Sequence, residues 1–187
     1  VTVVGLKNFS DRTVVTYSGL RQGQQIQVPG EEVSAILKKL WNLELFSDVN
    51  LYVTDVNNDK IKLEINVEEL PTLLNYKING VKKSKAEDFE KETELSEGKR
   101  LSESFLTNTK NYIENDLKKV GYLNSRVNIV STPDSIGSNR LNLNINIDKG
   151  ERIKIKNITF SGHEIFGDFK LKSKFKKTKK KFPLRFW

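Results

Sequence analysis

A seven-residue stretch occurs twice and sets the organisation of the whole chain. Leu20-Arg-Gln-Gly23-Gln-Gln-Ile26 is matched by Leu95-Ser-Glu-Gly98-Lys-Arg-Leu101, with the leucine, glycine and closing aliphatic each displaced by 75 positions (20 to 95, 23 to 98, 26 to 101). The same displacement carries Gly5-Leu6 onto Gly80-Val81, and one of 76 carries Phe46 onto Tyr122. A period this long marks a domain-sized unit. Each glycine reads as a positive-φ residue in the link between two helices, because Leu-x-x-Gly before an apolar anchor suits a tight turn.

The 187 residues hold two such units and a remainder, each unit small enough to have only a modest core. In the first unit, Val1 to Leu6 is β-branched and predicts a strand ending at Gly5, and Ser10 then caps a short helix that stops at Gly19. Pro29, Glu31 and Glu32 open a second helix whose apolar face is Val33, Ile36, Leu37, Leu40 and Trp41. Alternation over Val49, Leu51 and Val53, a turn at Asn57-Asn58-Asp59, and alternation over Ile61, Leu63, Ile65 and Val67 predict an antiparallel hairpin. The unit is β-α-α-β-β, a three-stranded mixed sheet covered by two helices, and the fold class is α+β.

Pro71 marks the boundary, after which the order recurs. Tyr76, Ile78 and Gly80 belong to a strand, and Ser84 caps a charged helix from Lys85 to Leu95 that adds little to the core. Ser102 caps a helix carrying Phe105, Leu106, Thr109, Tyr112, Ile113 and Leu117, which ends at Gly121. Val127 and Ile129, the loop from Pro133 to Asn139, and Leu141, Leu143, Ile145 and Ile147 make a second hairpin. Ile153, Ile155, Ile158 and Phe160 before Gly162 predict a third first strand, followed by a helix from Asp168 to Lys177. The expected units are therefore 1–70, 71–150 and a truncated 151–187, and the parent protein is expected to continue.

Composition argues against most chemistry. Cysteine is absent and His163 is the only histidine, so no thiol nucleophile, histidine pair or metal triad can be assembled, and no cofactor is expected. Glu31-Glu32 and Glu68-Glu69 read as a helix start and a domain edge, and Gly98-Lys99 lacks the spacing of a phosphate-binding loop. The chain is read as no enzyme, without catalytic, cofactor or metal residues. The net charge of +8 comes from Lys170 to Trp187, with nine Lys/Arg and no acid, leaving 23 bases against 24 acids before it. A nucleic-acid-binding face is therefore not expected, although a KH-like α/β unit driven by the basic tail is the alternative from a different class. The run Lys176 to Lys181, interleaved with Phe175, Phe182, Phe186 and Trp187, suits a solvated face, a headgroup contact or an acidic partner. Asn8-Phe-Ser10 and Asn157-Ile-Thr159 read as chance triplets. Asp134-Ser135-Ile136 resembles a short acceptor pattern for O-glycans, which makes Ser135 a candidate modification site, against a solvated turn.

Tandem units of this order, with apolar-x-Gly closing the first strand, Leu-x-x-Gly between helices and an aromatic at Phe46 or Tyr122, resemble POTRA domains. Thr13 to Gly23, Lys39-Leu-Trp41, Leu45-Phe46-Ser47 and Leu171 to Trp187 resemble the units of an outer-membrane β-barrel assembly factor in particular, with Leu45 standing where glycine is frequent. The resemblance implies a periplasmic arm on the bacterial outer membrane, continued by a C-terminal barrel. It also implies partners among outer-membrane lipoproteins and nascent outer-membrane proteins. The arm of a two-partner-secretion or autotransporter-assembly transporter is the alternative within the fold.

A three-stranded sheet leaves an edge of unpaired backbone groups that suits an extended client strand. The first strand of each hairpin is the expected edge, at Asn50, Leu51, Tyr52 and Val53 and at Asn128, Ile129 and Val130.

Overall fold

The computed structural model describes residues 1–57, 60–135, 139–162 and 165–174. The first unit runs β1 (Thr2–Val4), α1 (Asp11–Ser18), α2 (Glu31–Trp41), β2 (Phe46–Asn57) and β3 (Lys60–Glu69), and the second runs β4 (Thr72–Asn79), α3 (Lys83–Thr93), α4 (Glu103–Lys119), β5 (Arg126–Pro133) and β6 (Arg140–Asp148). Each has one mixed three-stranded sheet, in the order β1-β3-β2 or β4-β6-β5. The first strand pairs parallel with the last, and the hairpin partners pair antiparallel. No helix among the described residues is long and apolar enough to cross a membrane.

Each sheet buries one face under its two helices, and the cores are separate. Val14, Ile36 and Leu40 lie on Leu63, Ile65 and Val67 in the first. Phe89, Ile113 and Leu117 lie on Leu143, Ile145 and Ile147 in the second. The period-2 alternation of β3 and β6 and the helical spacing of Ile113 and Leu117 place these residues inward. Ser10 and Ser102 cap α1 and α4 by accepting the N–H of Thr13 and Phe105.

Gly5 and Gly80 end the first strands for a steric reason. Their φ values are +92° and +91°, and a Cβ on either would overlap the carbonyl oxygen of Val67 or Ile147 on the central strand. A side chain there would force the first strand away from the sheet.

Several expectations need correction. Trp41 is 44% exposed because it closes α2, beyond the Ile36 and Leu40 pair that meets the sheet. Pro29 precedes the helix, which begins at Glu31 with Gly30 as its N-cap. Ser84 lies inside the first turn of α3, whose N-cap is Lys82 without a side-chain bond. That helix contributes more core than its charge suggests, since Phe89 is fully buried and packs edge-on against Tyr112 at 6.4 Å. Gly23 and Gly98 have φ near +80°, as expected, but the second link is more than a turn. Leu73 donates to Lys99 O and Leu101 donates to Pro71 O, so the link pairs with the outer side of β4, with an antiparallel bridge between Thr72 and Arg100.

Residues 149–162 form no strand. The first strands of the two complete units pair with a strand late in their own unit, and no such strand follows among the described residues. Instead, Arg152 Nε donates to Val120 O at 2.8 Å and Ile153 N to Gly121 O at 2.9 Å, fastening this segment to the end of α4. The last helix, α5, spans Asp168–Lys174, and the rest of its expected length lies outside the described residues, as do His163, the run Lys176 to Lys181 and the aromatics from Phe175 to Trp187.

Candidate partner-binding edges

The strand order puts β2 and β5 at the edge of their sheets, each paired on one side only among the described residues. Asn50, Leu51, Tyr52 and Val53 lie on β2, opposite Asn66, Ile65, Glu64 and Leu63 of β3. Asn128, Ile129 and Val130 lie on β5, opposite Asn146, Ile145 and Asn144 of β6. Leu51 and Ile129 are half-buried against the cores, whereas Tyr52, Val53 and Val130 are exposed. The opposite edge of the second sheet, β4, is covered at its start by the link between α3 and α4.

Two backbone bonds fix which groups on these edges face outward. Val127 N donates to Glu114 Oε1 on α4 at 3.0 Å, and Val49 N donates to Asp48 Oδ1 at 3.0 Å. These N–H groups therefore point away from β6 and β3. In an antiparallel ladder, residues alternate between bonding the partner and facing away from it. Ile129 and Ser131 thus face outward with Val127, and Leu51 and Val53 with Val49. Asn128, Val130, Asn50 and Tyr52 direct their backbone groups inward.

Val49 and Val127 are structurally equivalent. Val49 lies opposite Val67 and Val127 opposite Ile147, the two residues whose carbonyls face Gly5 and Gly80. The capping carboxylates come from different places, the adjacent Asp48 in one unit and a helix in the other. No periodicity in the sequence points to Asp48 or Glu114. Asp48 immediately before Val49 is the one local signal available, and Glu114, on another element, has none.

The two edges differ in regularity. The β2 ladder carries irregularities between Phe46 and Asp48 and between Val53 and Asp55, while the β5 ladder runs unbroken from Arg126 to Pro133. Beside β5 lies an open groove of about 640 Å³ lined by Lys110, Glu114, Arg126, Val127 and Asn128, together with residues at the ends of β4 and β6.

Ser135 is exposed, just past the end of β5. The preceding Asp134 is held to Arg140 by a backbone bond of 3.1 Å and an ion pair of 3.0 Å, which closes the hairpin neck. Ile136 lies outside the described residues. Among the described residues, no group of three or more His, Cys, Asp or Glu could hold a metal ion.

Residues 71–150 match the POTRA family, described as the surface antigen variable number repeat. The outer membrane protein assembly factor BamA of Neisseria meningitidis serogroup B is 30% identical over 173 residues, which cover 91% of this chain and 21% of that protein. The chain thus spans about a fifth of the length of the curated relative it matches. Among solved structures, POTRA3-5 of Haemophilus influenzae BamA aligns with 96% of this chain and 76% of that one, at 18% identity and a TM-score of 0.42. The N-terminal domain of Omp85 from Thermosynechococcus elongatus aligns with 96% and 75%, at 16% identity and a TM-score of 0.49.

Proposed function

We propose, on the premise that residues 71–150 are a POTRA unit, that the chain is the periplasmic POTRA region of an outer-membrane protein assembly factor. It scaffolds accessory outer-membrane lipoproteins and engages nascent outer-membrane proteins, which a C-terminal barrel of the same protein inserts into the membrane. The observation that carries this reading is the open, unbroken backbone of β5 beside a groove, in a chain related to a protein named as an assembly factor. Backbone pairing at an edge tolerates many client sequences, because every residue but proline brings the same donor and acceptor. Such work needs no catalytic group and no cofactor.

The proposed contact residues are Asn50 to Val53 on β2 and Asn128 to Val130 on β5. Ile129→Pro and Leu51→Pro test them, since each removes a donor that faces outward and leaves the ladder to the neighbouring strand intact. In folded variants, site-specific crosslinking to a nascent outer-membrane protein should fall, and undiminished crosslinking would refute strand pairing at these edges. Ser135 is the proposed O-glycan acceptor, and an intact mass of the native protein equal to that of the bare sequence would remove it.

A further inference from the structure

The open edges are shorter than their strands. On β5, the outward N–H of Val127 is occupied by Glu114, and the last outward position is Pro133, which has no N–H. Between them, Ile129 and Ser131 remain as the outward residues with both donor and acceptor available for pairing among the described residues. On β2, the outward N–H of Val49 is occupied by Asp48, and the ladder irregularity after Val53 turns the strand out of phase. Leu51 and Val53 remain there. The two strands share Val-Asn-aliphatic at this point, Val49-Asn50-Leu51 and Val127-Asn128-Ile129, and have the same layout, with a carboxylate on the equivalent backbone N–H at one end and a missing or out-of-phase donor at the other.

We propose that Glu114 and Asp48 are register stops, which limit an added strand to a short window, Ile129–Ser131 on the second unit and Leu51–Val53 on the first. This rests on the strand-pairing reading above and deepens it. A carboxylate bound to a backbone N–H makes a charge-assisted bond, roughly twice as strong as the neutral carbonyl bond an incoming strand would offer in exchange. The incoming strand therefore leaves the cap in place, and its pairing ends before Val127. A window of this length binds weakly and without regard to side chains, and it prevents the sheet from extending into a long irreversible pairing.

The test uses the 187-residue chain, isotopically labelled, in wild-type, E114A and E114Q forms. Amide hydrogen exchange reads the cap directly. Val127 is expected to exchange at least about tenfold faster in E114A than in wild type, while E114Q, which retains an acceptor oxygen, stays protected and Ile145 is unchanged in all three. Equal exchange at Val127 in wild type and E114A would overturn the cap. A capped octapeptide of alternating valine and threonine then reads the window through amide chemical shifts. In wild type, the perturbations should cover Ile129 and Ser131 and stop before Val127. In E114A they should reach Val127, with binding tightened about fivefold, the value of one added neutral hydrogen bond. Perturbation along β5 with the same extent and affinity in both proteins would overturn the register stop and leave strand pairing standing. Absence of any perturbation along β5 in either protein would overturn both.

Discussion

Glu69 holds Asn8 at two points: its carboxylate accepts the Asn8 backbone N–H at 2.9 and 3.0 Å and the Asn8 side-chain amide at 2.9 Å. Lys7 and Phe9 donate their backbone N–H groups to the same carboxylate, at 2.8 and 3.0 Å. The end of β3 thereby fixes the loop that connects β1 to α1. Burial of Glu69 pushes its carboxyl up, but the backbone bonds from Lys7, Asn8 and Phe9 and the Asn8 amide outweigh it and hold the group below its ordinary value.

Glu69→Ala should destabilise the first unit by about 1–3 kcal/mol, since it leaves three partly buried N–H groups without their acceptor. The folded-state carboxyl titrates lower than the unfolded one, so its contribution is full above the ordinary value of 4.5 and is lost as pH falls through the folded value. Urea denaturation between pH 7 and 3 should show wild type losing stability over that window more steeply than Glu69→Ala. Parallel pH profiles would show that the carboxylate does not stabilise the fold.

Gly80→Ala and Gly98→Ala separate two kinds of glycine. Both have positive φ, but only at Gly80 would the added Cβ overlap a backbone oxygen, that of Ile147, while nothing lies within 4 Å at Gly98. Gly98→Ala should cost about 1–2 kcal/mol for the left-handed backbone alone, and Gly80→Ala distinctly more. Denaturation midpoints compare them, and Gly5→Ala should follow Gly80→Ala.

Asn139 ties the second hairpin to the segment between the units, donating its side-chain amide to the carbonyls of Glu69 at 3.4 Å and Leu70 at 3.2 Å, while its own carbonyl accepts the N–H of Thr72 at 3.0 Å. Asn139→Ala keeps the backbone bond and removes the side-chain ones. Thermal unfolding should register a loss of about 1–2 kcal/mol, in line with one or two neutral hydrogen bonds.

Proline scanning along β5 should alternate. Ile129→Pro removes an outward N–H and should leave the circular dichroism spectrum and most of the stability intact. Val130→Pro removes a bond to β6 and should cost at least about 1 kcal/mol more, by denaturant midpoint. Equal effects at the two positions would show that the outward phase inferred from the Val127 cap is wrong.

Both units have the element order that the repeat predicts, with α1 and α4 capped by Ser10 and Ser102 as their sequences indicate. Serine before a helix and the two-residue period of Leu143, Ile145 and Ile147 are local signals, written within a few residues of the structure they produce. Gly5 and Gly80 are visible in the sequence as a repeated pair, but their reason is not, because the clashing carbonyls of Val67 and Ile147 lie more than sixty residues away.

By itself, then, the sequence determined the repeat, the order of elements in the first two units and most of their apolar faces, all of which depend on near neighbours. Only the tertiary structure decided what the edges present. Glu69 reads as an acid at a unit boundary until folding brings Lys7, Asn8 and Phe9 to it, and nothing local marks Glu114, which meets Val127 only in the fold. A backbone N–H has the same chemistry at every residue except proline, so its partner is set by where the chain returns in space and not by any local pattern.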